Sequence, residues 1–389
     1  MHILVKKKIS GAYMLEVLQN VTVSHIFMYG VGILLIFLAI KKKYEPALLL
    51  PMGFGAILVN LPMSGVLNQT MEGISETSIQ AFGIIEWLYK IGIESSEAFP
   101  ILLFIGIGTM IDFEPLLQKP VLILFGFAAQ AGIFVAMGIA LLIGFPLNDA
   151  ASIGMIGAAD GPTSILVSQI LQSEYVGAIA VAAYSYMALV PLIQPVTIKV
   201  LTTKKERAIT MKTGGKKIPR VVKIIFPIAV TFLSGIFAPM SIALVGFLMF
   251  GNLIKESGVL TTLSDTARDV LTNLITLLLG ITISFSMRAE VFVKKETLFV
   301  MAIGLVAFIF DTAGGVLLAK FMNLFLKEKI NPMVGAAGIS AFPMAARVVQ
   351  KMANDENRGN IILMQAVGAN VAGQVASAIV GGVILGMFR

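Results

Sequence analysis

Asp160 is followed at once by Gly161 and Pro162, in the middle of an apolar stretch, 150–171, that could lie in lipid. An ionisable group at membrane depth is costly, so it reads first as a functional group and only second as a stabilising one. The break beside it matters as much as the charge. Pro162 has no amide hydrogen and its ring collides with the carbonyl four residues back, which releases backbone oxygens near the carboxylate. Such carbonyls are tolerated only inside protein or against a cavity, where they can ligate an alkali cation. In a polar protein Ala-Asp-Gly-Pro would be an ordinary turn. A second stretch, 331–352, carries a break at Pro343 and, four residues on, Arg347. A guanidinium near the start of a half-helix is a receptor for a carboxylate, with snorkelling to the membrane surface as the competing role. Asn370, set among Gly368, Ala369, Ala372 and Gly373, lets another backbone approach and offers a carbonyl oxygen to a cation. The structural alternative for Asp160 is a salt bridge to Arg347. Thr163, Ser164 and Ser168 need do no more than satisfy helix backbone, and Tyr184 reads as packing. Tyr186, one span beyond the first break, has a polar tip that packing alone would also accommodate.

Composition says what must hold these groups. The chain is 57% hydrophobic and 13% charged, with a mean hydropathy of +0.91, the balance of a polytopic membrane protein. No cysteine is present, which excludes disulfides, thiolate metal sites and cysteine nucleophiles. The two histidines, His2 and His25, lie at the N-terminal end, so neither a histidine metal cage nor a histidine base can serve the body of the chain. The net charge of +7 is read as the loop bias of a membrane protein, with no nucleic-acid partner. The Lys6-Lys7-Lys8 run lacks the small-residue cleavage pattern of a signal peptide.

About 20 apolar residues cross the hydrocarbon. By that measure segments fall near 21–40, 45–60, 98–112, 120–143, 150–171 and 175–198, then near 222–238, 240–254, 270–287, 297–322, 331–352 and 358–386. Between the sets, 199–223 holds Lys204, Lys205, Arg207, Lys212, Lys216, Lys217 and Arg220, and reads as a solvated cytoplasmic linker. Segment 61–95, with Glu72, Glu76, Glu86 and Trp87, reads as an extramembrane loop with an interfacial amphipathic helix. The two sets match in order: Phe54-Gly55 with Phe250-Gly251, Phe104-Ile105-Gly106-Ile107 with Leu278-Leu279-Gly280-Ile281, and Met155-Ile156-Gly157-Ala158-Ala159 with Met333-Val334-Gly335-Ala336-Ala337. Ordered matches predict an internal repeat, and breaks at corresponding places point to the binding site.

Placing Lys41 to Lys43, Lys119 and the linker in the cytoplasm makes 150–171 begin and end outside and 331–352 begin and end inside. The predicted fold class is therefore all-α and polytopic: an inverted repeat of two six-element halves, ten transmembrane helices and two re-entrant hairpins, forming an elevator-like core and scaffold. The predicted domains are an extension over 1–20, a first repeat over 21–198, the linker 199–223 and a second repeat over 224–389. Lys6 to Lys8, Arg288, Lys294 and Lys295 fall outside and run against the charge rule.

Three runs carry a resemblance: Gly157-Ala158-Ala159-Asp160-Gly161-Pro162-Thr163, Tyr186-Met187-Ala188-Leu189-Val190-Pro191-Leu192-Ile193-Gln194-Pro195, and Gly338-Ile339-Ser340-Ala341-Phe342-Pro343-Met344-Ala345-Ala346-Arg347. With Lys41-Lys42-Lys43-Tyr44-Glu45-Pro46, they make the chain from about residue 25 onward similar to the membrane β subunit of the biotin-dependent, sodium-pumping decarboxylases. The resemblance implies a bacterial cytoplasmic-membrane protein, a homo-oligomer, that works with biotin carrier, carboxyltransferase and small membrane-anchoring subunits. It would decarboxylate carboxybiotin held by the carrier, consume a proton and export Na+. The implied functional positions are Asp160, Tyr186, Asn331, Gly335, Ser340, Arg347 and Asn370. Catalysis would fall to Arg347, Tyr186, Ser340 and Asp160. The carboxybiotin site would take Asn331, Gly335, Ser340 and Arg347, and Na+ would sit on Asp160, Asn370 and hairpin backbone near Gly161 and Gly338. The acid acted on, whether oxaloacetate, methylmalonyl-CoA, glutaconyl-CoA or malonate, would be chosen on another chain. The alternative is a Na+-coupled secondary transporter of a small carboxylate, since both functions need hairpins, a carboxylate and an arginine.

Overall fold

A computed structural model describes residues 19–43, 45–71, 79–95, 97–211 and 217–388. Most of the expected N-terminal extension lies outside the described residues, as do Tyr44, Glu72, Glu76, Lys212 and Lys216. Among the described residues seven helices are long and apolar enough to cross a membrane, and up to nine if two bent helix pairs each count as one span. The expected spans near 21–40, 120–143, 222–238, 240–254, 297–322 and 358–386 correspond to Val23–Lys42, Pro120–Ile143, Arg220–Phe237, Pro239–Ser257, Lys295–Phe325 and Leu363–Met387. The segment near 270–287 falls within Thr261–Met287. The segment near 45–60 is the shorter helix Pro46–Val59, which contains Pro51.

Two compact units divide the chain. The first takes 1–98 and 276–297. Its first two described helices cross where Gly32 and Gly53 meet, each leaving only 2.7 Å between a built Cβ and the other's carbonyl oxygen. Asn60 ties this unit together: its amide donates to Ala56 O at 2.7 Å and Met287 O at 2.9 Å, and its oxygen accepts from the Ala289 amide at 2.7 Å. Within the predicted loop 61–95, strands Asn68–Met71 and Ile79–Phe82 pair antiparallel, Asn68 opposite Phe82 and Met71 opposite Ile79. Asn-Gln-Thr-Met lacks the apolar alternation that announces a strand, which is why the pairing was invisible in sequence.

The second unit takes 99–275 and 298–389 and holds every residue of the candidate site. Its centre is Leu363–Met387, whose apolar window is 78% buried, against 11% for Arg220–Phe237. Small residues explain the difference: with Gly368, Ala369, Ala372, Gly373, Ala376 and Gly381 along one helix, neighbours close in on its backbone. Val176–Leu201 bends by 68° between Met187 and Leu189. Pro191, four residues beyond Met187, cannot donate to that residue's carbonyl, the ordinary origin of such a kink.

Both broken stretches are broken helices. The first runs Leu147–Gly154, a tight turn over Met155–Ala158, and Gly161–Ile170. The second runs Pro332–Ala336 and, after an irregular passage with a cis Phe342–Pro343 peptide, Met344–Glu356. The basic linker is less solvated than its composition predicts. Arg207 is buried because it pairs with Glu356 at 2.7 Å and donates to Thr202 O at 2.6 Å, partners that repay a guanidinium for leaving water.

Candidate functional site

Asp160 stands at the helix N-cap, its backbone extended at φ −127° while Ala159 before it is left-handed at φ 52°. Pro162 in the first turn lacks an amide hydrogen where none is required. Thr163 closes the cap: its hydroxyl donates to Asp160 Oδ2 at 2.6 Å and its amide to Oδ1 at 3.5 Å. From Leu363–Met387 the Ser377 hydroxyl reaches the same Oδ2 at 2.9 Å. The carboxyl is only 3% exposed, so those donors stand in for water. Among the described residues no ion pair joins Asp160 to Arg347, and the salt-bridge alternative is not formed.

The second break meets the first. The Ser340 amide donates to Ala158 O at 3.2 Å. Ala158 is the residue four before Pro162, so the carbonyl that proline releases is taken up by the other broken segment. The pattern repeats at Pro343, where Ile339 O, four residues earlier, accepts from the Asn370 amide at 2.6 Å. Ser340 in turn donates to Gly373 O at 2.9 Å, and the Gln374 amide donates to Ser340 O. Asn370, Gly373, Gln374 and Ser377 fall at i, i+3, i+4 and i+7 on one helix face, which stitches both breaks. Gly373 is required there, because a Cβ would stand 2.1 Å from Gly338 O.

Ala158 O and Ile339 O, the oxygens that the two prolines release, already accept hydrogen bonds, whereas Asn370 Oδ1 and Gln374 Oε1 are buried with no hydrogen-bond partner. A single carboxylate with neutral side-chain oxygens suits a monovalent cation. Among the described residues no group of three or more His, Cys, Asp or Glu is placed to hold a metal ion.

Asp160, Ser340 and Asn370 are thus linked through one face of Leu363–Met387, Asp160 at Ser377 and the second break at Asn370, Gly373 and Gln374. Tyr186 sits just before the bend in Val176–Leu201 and donates its hydroxyl to Met301 O, in a different helix from those that join the breaks. Tyr184, the expected packing residue, covers Gly161, whose built Cβ would lie 2.2 Å from its ring. Ser164 and Ser168 serve backbone as expected, bonding Met155 O and Asp160 O, and Ile165 O, while Thr163 serves the carboxylate. Gly335 packs on Gly315, each with a built Cβ 2.0 Å from the other's carbonyl oxygen, and works as a helix contact. Asn331 caps Pro332–Ala336 through the Met333 amide at 3.0 Å and donates to Arg207 O at 2.8 Å and Ile209 O at 2.9 Å. Asn360 adds a bond to Ile209 O at 3.1 Å. Arg347 is exposed in the first turn of Met344–Glu356, and among the described residues its guanidinium forms no hydrogen bond or ion pair.

Residues 24–388 match the family model of the Na+-transporting oxaloacetate decarboxylase beta subunit. The chain belongs to that family. It is 45% identical to the methylmalonyl-CoA decarboxylase subunit beta of Propionigenium modestum, over 93% of this chain and 94% of that one. It is also 41% identical to the oxaloacetate decarboxylase beta chain of Klebsiella pneumoniae, with 95% and 96% covered, and 44% identical to the glutaconyl-CoA decarboxylase subunit beta of Acidaminococcus fermentans, with 92% of each covered. As a member of the oxaloacetate decarboxylase beta family, this is a multi-pass membrane subunit of a decarboxylase complex whose decarboxylation is coupled to Na+ transport. Motif reading passed over Ser377, which bonds the Asp160 carboxyl, and Gln374, which bonds Ser340 O. Their signal was the helical spacing from Asn370.

Proposed function

We propose that this subunit decarboxylates carboxybiotin presented by a carrier domain on the cytoplasmic side of a bacterial inner membrane, and uses that step to move Na+ outward. The observation that carries the reading is the Asp160 carboxylate at the junction of two broken helices, beside a helix whose Asn370 and Gln374 oxygens are buried and unpartnered. Asp160, Asn370 Oδ1 and Gln374 Oε1 are the ligands for the Na+ cargo. Arg347, exposed and free of other partners among the described residues, receives the carboxyl group through the two parallel bonds a guanidinium can offer. In the chemical step the N–CO2 bond breaks, the ureido nitrogen keeps the electron pair and takes a proton, and CO2 leaves. Tyr186 or Asp160 relays that proton. Losing the anion removes a ligand that favours one arrangement of the core, so the reaction's free energy becomes a difference in Na+ affinity between inward-open and outward-open states. The two hairpins and their inverted relationship supply the moving element in an elevator-like core.

Asp160→Asn tests this. It keeps size and removes charge, so the complex reconstituted in liposomes should insert and assemble while losing both Na+ uptake and decarboxylation. Na+-dependent turnover retained by that variant overturns the assignment.

A further inference from the structure

Lys295–Phe325 carries, in the middle of its apolar run, a second carboxyl that the site above does not use. Asp311 is completely buried. Its Oδ1 accepts from the Gly132 amide at 2.5 Å, where Pro120–Ile143 is interrupted ahead of Ala131–Ile143. Its Oδ2 is buried and meets no donor in regular hydrogen-bond geometry, with the Ile133 amide beside the carboxyl. That oxygen lies against the first broken segment: a Cβ built on Gly157 would stand 2.7 Å from it, and the Ala307 Cβ and Ile133 amide nitrogen lie 3.0 and 3.1 Å from the same point. Gly157 is three residues before Asp160.

We propose that Asp311 is a second ion-exchanging centre of this subunit, one that carries a proton, and that its charge state acts on the Asp160 break through Gly157. The inference rests on the reading of Asp160 as the Na+ ligand. Two observations separate it from the bland role of a helix cap. An Asn or Ser would give Gly132 the same acceptor without an ionisable second oxygen, so the bond to Gly132 does not by itself call for a carboxyl. That second oxygen is also pressed on backbone with no side chain between, so a change in its charge is felt by the tight turn at Met155–Ala158.

The surroundings choose the proton over a metal ion. A cation needs several oxygens around it, and the polar groups that face the Asp311 carboxyl are the Gly132 and Ile133 amides, which are donors. A proton needs Oδ2 alone, and uptake neutralises a charge that would otherwise lie in hydrocarbon. The charged groups on the packed elements are engaged elsewhere. Asp149, ahead of the tight turn, accepts from the Ser173 hydroxyl at 2.6 Å, Lys320 pairs with Glu206 at 3.2 Å, and Asp160 is held by Thr163 and Ser377. Lys295 and Glu296 stand at the far N-terminal end of the helix, more than four turns from Asp311 by sequence. Pro120–Ile143 contributes no ionisable residue.

The test uses the assembled complex, with Na+ titrations of decarboxylation between about pH 6 and about pH 8 and infrared spectra of the carboxyl C=O stretch. Full competition between a proton and Na+ shifts half-saturation by about tenfold per pH unit. Asp311→Asn keeps the acceptor for Gly132, and it is expected to assemble, remain Na+-dependent and lose at least half of the wild-type pH shift. Of the protonated-carboxyl signal that titrates in the wild type, the part that persists in Asp160→Asn should be the part missing from Asp311→Asn. Should Asp311→Asn not assemble, Asp311→Ser takes its place with the same expectations, and the wild-type and Asp160→Asn spectra stand on their own. If the Asp311 variant matches wild type in both measurements, or if no titrating band survives in Asp160→Asn, Asp311 is a cap only. A fully active Asp160→Asn sinks the underlying Na+ assignment, whereas an inactive Asp160→Asn beside a wild-type-like Asp311→Asn sinks this inference alone.

Discussion

Ser377→Ala is the substitution whose effect the geometry sizes best. It removes one of two hydroxyls on Asp160 Oδ2, that at 2.9 Å, and leaves Thr163 at 2.6 Å. A hydrogen bond to a charged group contributes about 1.5–3 kcal/mol. The Ser377 hydroxyl also lies 3.0 Å from Gln374 O and has one proton for two acceptors, so the lower end applies. Since ~1.4 kcal/mol is a factor of ten, half-saturating Na+ should rise about tenfold. The effect depends on pH with a definite sign. Where protons compete, the empty site is neutral and gains little from the hydroxyl, while the Na+-bound carboxylate loses its full worth. Where the empty site is already ionised, both states lose the same bond and the difference fades. Ser377→Ala should therefore need about ten times more Na+ at the acid end of the range and approach wild type at the alkaline end. The assay is a Na+ titration of decarboxylation by the purified complex at several pH values, with uptake of labelled Na+ into liposomes in parallel. Unchanged half-saturation at every pH, with assembly intact, refutes the placing of Na+ at this carboxylate.

Arg347→Lys keeps the charge and any anchoring at the membrane surface but loses the planar fork, so turnover should collapse while Na+ binding survives. Wild-type kinetics in that variant return Arg347 to snorkelling. Gly373→Ala drives a methyl to 2.1 Å from Gly338 O, and overpacking of this kind costs about 1–3 kcal/mol. It should lower the thermal stability of the complex in detergent, measured by size-exclusion recovery after heating. The hydrogen bond from Lys223, on the side chain nearest it, holds the Glu114 carboxyl below the usual carboxylate range, so the stabilisation is present at neutral pH and is lost as pH falls through that lowered value. Glu114→Gln should destabilise by no more than about 1 kcal/mol at neutral pH, with the gap to wild type closing in acid melts.

Asp160 was legible in the sequence because a charge beside Gly-Pro in an apolar run has no cheap structural reason to be there. Asp311 carries the same charge signal and was passed over, because its helix has no breaker and no counterpart in the other half. Ser377 was hidden for a different reason: serines in membrane helices usually bond their own backbone, as Ser168 does, and only the folded chain shows which one reaches across 217 residues to a carboxylate. The prolines correctly marked where backbone oxygens are released. What spacing could not foresee is that the Ser340 and Asn370 amides fill those oxygens, which is why the proposed cation ligands are side chains. Arg207 misled because a run of basic residues in one linker reads as solvated, and its partner Glu356 lies far away in sequence.

Asn331 has a mechanical consequence. Through its amide, and through Asn360, residues 207–209 are strapped to both ends of the second broken helix, with Arg207 locked on Glu356 as the buckle. The strap makes the linker a lever arm: the broken helix cannot travel without dragging Ile209 or shearing the whole set of bonds at once. In the cycle proposed above, a spin label at the exposed Thr210 would therefore report movement of the second broken helix.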